Sequence, residues 1–261
     1  AKINLCLNIT GKREDGFHEL DMIMLPISLH DSLVVSKLYK SADNFLTVDD
    51  FSIGSFTYNL ATFAIDKLQS VYHFNDKFRI LIHKVIPIQA GLGGRSSNAA
   101  CAMKAVNSLL KLGATDEQLM DLGKDLGADI PFFVKCKPAR CRGIGEIIDP
   151  IEIKNNYYVL LVKPEMGCST REVYQAADAM KLDVCNMDNV IKALAEGDDE
   201  LLANNLANSL QAPAISLVPA IQTIIDELKE SGLKIVQMTG SGSAVFALST
   251  DKKLLKKVFK K

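Results

Sequence analysis

Residues 87–100 read PIQAGLGGRSSNAA and join an extended apolar run, FRILIHKVIPI (78–88), to an alanine-rich stretch with helical spacing, SSNAACAMKAVNSLLKLG (96–113). A strand that enters a helix through three glycines and two serines has few architectural options. Glycine lets backbone amides come close to a ligand, and the first turn of a helix directs unpaired N–H groups and a partial positive charge the same way. Together they make an anion cradle. The spacing is neither GxxxxGK[ST] nor GxGxxG, and no lysine lies inside the loop. The competing reading is a plain strand-to-helix turn capped by Ser96, Ser97 or Asn98. A second run of small residues, TGSGS (239–243), sits between two apolar strands, where a two-residue hairpin would not need so many. Two such loops in one chain point to a shared ligand.

The surrounding pattern is α+β. The opening AKINLCLNIT alternates, with Ile3, Leu5, Leu7 and Ile9 on one side and Lys2, Asn4, Cys6 and Asn8 on the other, which predicts a half-buried strand. Lys2 and Asn4 share its polar face. A turn is expected at Asp15-Gly16, then extended segments through MIMLPISL and DSLVVSKL, and a helix over NLATFAIDKLQSVY (59–72). The helix after the loop is expected to end at Gly113, and Thr115 with Gln118 forms a capping box for the next. Further on, NNYYVLLVKP reads as a buried strand. Ser169 with Glu172 reads as a second capping box for TREVYQAADAMK, helices follow near 188–230, and LKIVQMTGSGSAVFAL closes the chain as strand, turn and strand. A length of 261 residues is near the limit for one core, and the pattern changes near 150, so two lobes are expected, 1–150 and 151–261.

Lys and Arg number 30 against 31 Asp and Glu, a balance that suggests neither a nucleic-acid nor a membrane surface. The longest apolar runs, such as YYVLLV (157–162), are too short to span a bilayer. Six cysteines without a CxxC pair read as reduced thiols of a cytoplasmic protein. The chain opens at Ala1 inside a strand pattern, without a signal-peptide pattern or an initiator methionine, so a few preceding residues are expected.

PIQAGLGGRSSNAA resembles the phosphate loop of the GHMP kinases (PxxxGLGSSAA), and MTGSGSAVFAL is similar to their C-terminal glycine motif. AKINLCL followed by KREDGFHEL resembles the N-terminal signature of the branch that acts on 4-diphosphocytidyl-2-C-methyl-D-erythritol. LGADIPFF, GIGEII and KPEMGCSTREVY follow in the order of that branch. The resemblance implies a two-lobed GHMP kinase fold, with a ribosomal-protein-like N-terminal lobe and a ferredoxin-like C-terminal lobe. It also implies ATP-dependent phosphorylation of the 2-hydroxyl of that small-molecule substrate in non-mevalonate isoprenoid biosynthesis. Another GHMP small-molecule kinase is the alternative, against which the cytosine-reading DGFH stands; a nucleotide-binding, non-catalytic homologue is a third.

By the same resemblance Lys2 and Asn4 face the phosphoryl acceptor, and Asp129, ahead of Pro131, is the general base. The ATP phosphates lie on Gly91, Leu92, Gly93, Gly94, Arg95, Ser96 and Ser97, with Lys84 and Asn59 near the adenosine and Mg2+ accompanying the nucleotide on ligands left unassigned. Phe17, in place of a more usual tyrosine, and Tyr174 stack on the cytosine, His18 reads its edge, and Gly240, Ser241 and Gly242 line the substrate side. Arg95 departs from the pattern, since relatives usually carry glycine there. A positive φ at that position would strain an arginine, and its guanidinium would either meet the phosphates, point to solvent or impair nucleotide binding.

Overall fold

The computed structural model of the protein describes residues 1–39, 41–49 and 59–260. The chain runs through β1 (Lys2–Lys12), β2 (His18–Pro26), β3 (Ser32–Leu38), β4 (Phe45–Val48), α1 (Leu60–Tyr72), β5 (Lys77–His83), α2 (Gly94–Leu110), α3 (Asp116–Lys124) and α4 (Ile130–Lys135). It continues with β6 (Ala139–Gly143), β7 (Ile147–Pro150), β8 (Tyr158–Val162), α5 (Thr170–Ala177), α6 (Met187–Glu196), α7 (Asp199–Asn205), α8 (Gln211–Leu217), α9 (Ala220–Glu230), β9 (Ile235–Met238), β10 (Val245–Ser249) and α10 (Lys252–Phe259). No helix among the described residues is long and apolar enough to cross a membrane. Contacts divide the chain into two units.

The first unit holds Ser28–Pro87 and Gly93–Lys137 with Ala1. Its sheet has the order β3-β5-β4, with β5 antiparallel to β3 and parallel to β4. The period of two in β5 buries Phe78, Ile80 and Ile82, each contributing roughly 1.5–3 kcal/mol. In the helical layer α1 packs on α2, and α4 packs on both α2 and α3. Asn59 caps α1: its Oδ1 accepts from Ala61 N at 3.0 Å, and Thr62 returns the capping box. The expected box at Thr115 and Gln118 is complete at α3. Two helix boundaries differ from the sequence reading. α2 starts at Gly94, with Gly93 as its N-cap and no side-chain cap, rather than behind Ser96, Ser97 or Asn98. It ends at Leu110 because Lys111 adopts the left-handed conformation, two residues before Gly113.

The second unit holds Lys2–Ile27, Ile88–Leu92 and Pro138–Lys261. One antiparallel sheet runs β1-β2-β6-β7 and another β8-β10-β9. The Asp15-Gly16 turn is present, closed by Arg13 N donating to Phe17 O at 2.8 Å. At α5, Ser169 accepts from Glu172 N at a long 3.5 Å.

The half-buried expectation for β1 is overturned, because Lys2 to Asn8 are buried on both faces. β1 pairs with β2 along one edge and is covered on the other by distant chain. Leu7 N donates to Ala207 O, Ser209 N donates to Leu7 O, and Asn4 N donates to Thr239 Oγ1. On the polar face Asn8 Nδ2 donates to Cys185 O at 3.0 Å and Cys6 Sγ meets Met187 Sδ at 3.5 Å, partners 177 and 181 residues away that leave no local signature.

Candidate active site

Gly91 and Gly93 take φ of +72° and +69°, the left-handed region that a side chain resists. Gly91 has a second reason to be glycine, since a Cβ there would lie 2.1 Å from the Thr239 carbonyl oxygen. The two glycine motifs therefore meet backbone to backbone, and Thr239 Oγ1 donates to Gly91 O at 3.3 Å. After Gly93 the helical ladder begins with Ser97 N donating to Gly93 O at 2.9 Å, which leaves the N–H groups of Gly94, Arg95 and Ser96 as the open first turn of a 17-residue helix. Ser97 Oγ donates to Gly94 O at 3.0 Å. Arg95 lies in that turn with helical backbone and an exposed side chain, so the strain expected from a positive φ does not arise.

Lys84 stands beside this turn. Its Nζ would be 3.3 Å from a Cβ on Gly94, and it pairs with Asp31 Oδ2 at 2.9 Å. Asp31 has a fully buried side chain. Oδ1 accepts from Val85 N and Ile86 N, each at 2.7 Å, and Oδ2 also accepts from Asn98 Nδ2 at 2.9 Å. Burial alone would raise its pKa, but the Ile86 and Val85 amides, with Lys84 and Asn98, outweigh it and hold the carboxyl below its ordinary value. Sequence reasoning missed Asp31, whose only trace is one acid in a stretch of strand-forming residues. In the same unit Asp129 occupies the N-cap position of α4 and makes no side-chain cap bond there.

The second unit assembles the other predicted residues. Lys2 is 4% exposed and Asn4 1%, and Lys2 Nζ donates to Asn4 Oδ1, which confirms their common face. Lys2 N donates to Leu92 O at 3.1 Å, and a Cβ on Gly240 would meet Asn4 Oδ1 at 3.1 Å. The opening strand, the end of the first glycine run and the second glycine run thus converge. Ser241 shares a hydrogen bond with Thr170 Oγ1 at 3.0 Å, and Gly242 N donates to Thr239 O at 3.0 Å. At the hairpin end of this unit, His18 lies against Tyr174, with ring centroids 4.9 Å apart and planes tilted by 31°. His18 Nε2 also meets Asp178 Oδ1 at 2.7 Å, whereas Phe17 stands 60% exposed. Asp178 was not singled out from the sequence; its signal is its place one helical turn after Tyr174. Hydrogen bonds from Lys12 and His18 hold the Asp178 carboxyl below its ordinary value.

Two family models match the chain: the GHMP kinases N terminal domain over residues 59–137 and the GHMP kinases C terminal over residues 190–261. The sequence is 39% identical over 249 residues to the 4-diphosphocytidyl-2-C-methyl-D-erythritol kinase of Alkaliphilus metalliredigens, covering 95% of this chain and 85% of that protein. It is 35% identical over 254 residues to the protein of the same name from Caldicellulosiruptor bescii, covering 97% and 88%. A crystal structure of 4-(cytidine 5'-diphospho)-2C-methyl-D-erythritol kinase matches with a TM-score of 0.81 at 32% identity, over 100% of this chain and 92% of that one. The fold and the loop are those of the α+β GHMP kinase class. Within that class the chain belongs to the 4-diphosphocytidyl-2-C-methyl-D-erythritol kinase family.

Proposed function

We propose that the protein is a cytoplasmic kinase that transfers the γ-phosphoryl group of ATP to the 2-hydroxyl of 4-diphosphocytidyl-2-C-methyl-D-erythritol. The observation that carries this reading is the open N-terminus of α2, entered through left-handed Gly91 and Gly93 with no side-chain cap. A long helix whose first N–H groups meet no partner among the described residues, behind such a loop, suits a polyphosphate. The acceptor is supported by the names of the relatives.

Phosphoryl transfer is largely positioning and charge stabilisation. The amides of residues 91–97 hold the phosphates, with Lys84 beside them and Asn59 toward the adenosine. Lys2, oriented by Asn4, polarises the attacking oxygen, and Asp129 accepts its proton. Gly240, Ser241 and Gly242 shape the acceptor side, and Phe17, His18 and Tyr174 take the cytosine. Magnesium, carried on the ATP phosphates, would offset their charge. Among the described residues no group of three or more His, Cys, Asp or Glu stands together, and we assign the ion no protein ligand.

The test is coupled ADP release with Mg-ATP and the cytidyl substrate, beside homoserine and mevalonate. Turnover with the cytidyl substrate alone is expected. A folded protein that binds ATP and turns over none of the three overturns the reading.

A further inference from the structure

The carboxylate of Asp178 is divided between two cross-strand neighbours. Lys12 and His18 face each other in the β1–β2 pairing; Oδ2 takes Lys12 Nζ at 2.5 Å and Oδ1 takes His18 Nε2 at 2.7 Å. α5 supplies both restraints on the imidazole, with Tyr174 against its face and Asp178, one turn later, on its edge. The His18 side chain is 11% exposed, so the ring has little room to turn.

An ionised carboxylate only accepts hydrogen bonds, so the atom facing it, Nε2, carries the proton. In the neutral ring Nδ1 is then left as an acceptor, and it makes no hydrogen bond among the described residues. Cytosine and uracil differ at position 4, an amine that donates in one and a carbonyl oxygen that accepts in the other. An acceptor fixed by a restrained ring pairs with the amine and opposes the carbonyl.

We propose that Asp178 is a positioning residue that sets base specificity by holding His18 in the Nε2-protonated tautomer, so that Nδ1 selects cytosine over uracil. This rests on the reading that His18 faces the base of a cytidyl substrate. Asp178 itself touches no substrate.

The test compares CDP and UDP affinity by calorimetry in the wild type and in Asp178→Asn, Asp178→Ala and Asp178→Glu. The tautomer is read separately from imidazole 15N shifts of His18. The wild type is expected to prefer CDP by tenfold or more, since a site built to bond a polar group rejects an analogue that leaves it unpaired. Asn, which can present either oxygen or amide to Nε2, and Ala should each reduce that preference at least fivefold with a mixed tautomer signal, and Glu should restore much of it. An unchanged CDP/UDP ratio in Asp178→Ala, with a discriminating wild type, overturns the proposal and leaves the kinase reading intact. A wild type that binds both nucleotides equally also overturns it, and the ADP-release assay then shows whether the cytidyl reading falls too.

Discussion

Gly91→Ala separates what the phosphate loop needs for folding from what it needs for a ligand. At φ +72° an added Cβ incurs the left-handed penalty, about 1–2 kcal/mol. The methyl would also lie 2.1 Å from the Thr239 oxygen and 3.0 Å from its carbon. Both are backbone atoms, and the oxygen is held by Gly242 N at 3.0 Å, so neither swings aside as a side chain would. Overpacking of this kind adds about 1–3 kcal/mol, while the loss of freedom in the unfolded chain returns about 0.4–1 kcal/mol. The net cost is roughly 3 kcal/mol, a large share of the ~5–15 kcal/mol that holds a domain folded. Gly16 is the internal control: its φ is +88° and nothing lies within 4 Å of a Cβ, so Gly16→Ala should cost about 1 kcal/mol or less. Urea unfolding followed by circular dichroism measures both variants against the wild type. Equal losses at the two sites would refute the claim that close backbone packing, as well as nucleotide approach, dictates glycine at position 91.

Lys2→Met and Asp129→Asn should each lower kcat by roughly 10²–10⁴-fold while nucleotide binding by calorimetry stays within a few fold; preserved kcat in either removes that residue from the chemistry. Asp31→Ala should destabilise the fold by about 3–5 kcal/mol in chemical denaturation, because it strands Lys84 and two backbone amides; a loss under 1 kcal/mol would contradict this. With its pKa held below the ordinary 3.8, Asp31 contributes stability that is present above that value and is lost as pH falls through the lower folded value, so Asp31→Asn should flatten the acid limb of Tm against pH. Arg95→Gly should lower Tm, since glycine within the first turn of α2 costs about 0.5–1 kcal/mol and no strain is relieved; a rise in Tm would show strain at Arg95 after all.

Much of this arrangement is legible in short windows of sequence. The alternation in FRILIHK, the Thr115–Gln118 box and the glycine spacing each act within one or two turns of chain, and each appears where the pattern puts it. The start of α2 was misplaced because Ser96, Ser97 and Asn98 are all good caps on paper, yet a left-handed Gly93 starts the helix earlier and turns Asn98 toward Asp31. Arg95 looked strained only while the position of the left-handed residues was unknown; they fall on Gln89, Gly91 and Gly93. Asp31 and Asp178 were missed because a carboxylate is read from its partners, and those partners lie 53 to 67 and 160 to 166 residues away.

The placement of β1 also sets an order of events during synthesis. The strand that carries Lys2 and Asn4 leaves the ribosome before its far-edge partners: Leu92 O follows early, but the backbone of Ala207 and Ser209 and the hydroxyl of Thr239 come some 200 residues later. At ordinary elongation rates that gap is on the order of 10–40 s. For that interval a buried-type apolar strand has β2 on one side and a bare edge on the other, the situation that invites pairing with another nascent chain. The strand that carries the lysine assigned to the chemistry is therefore closed only once Thr239 has been made, and a chain cut short before Ala207 would keep most of that edge open.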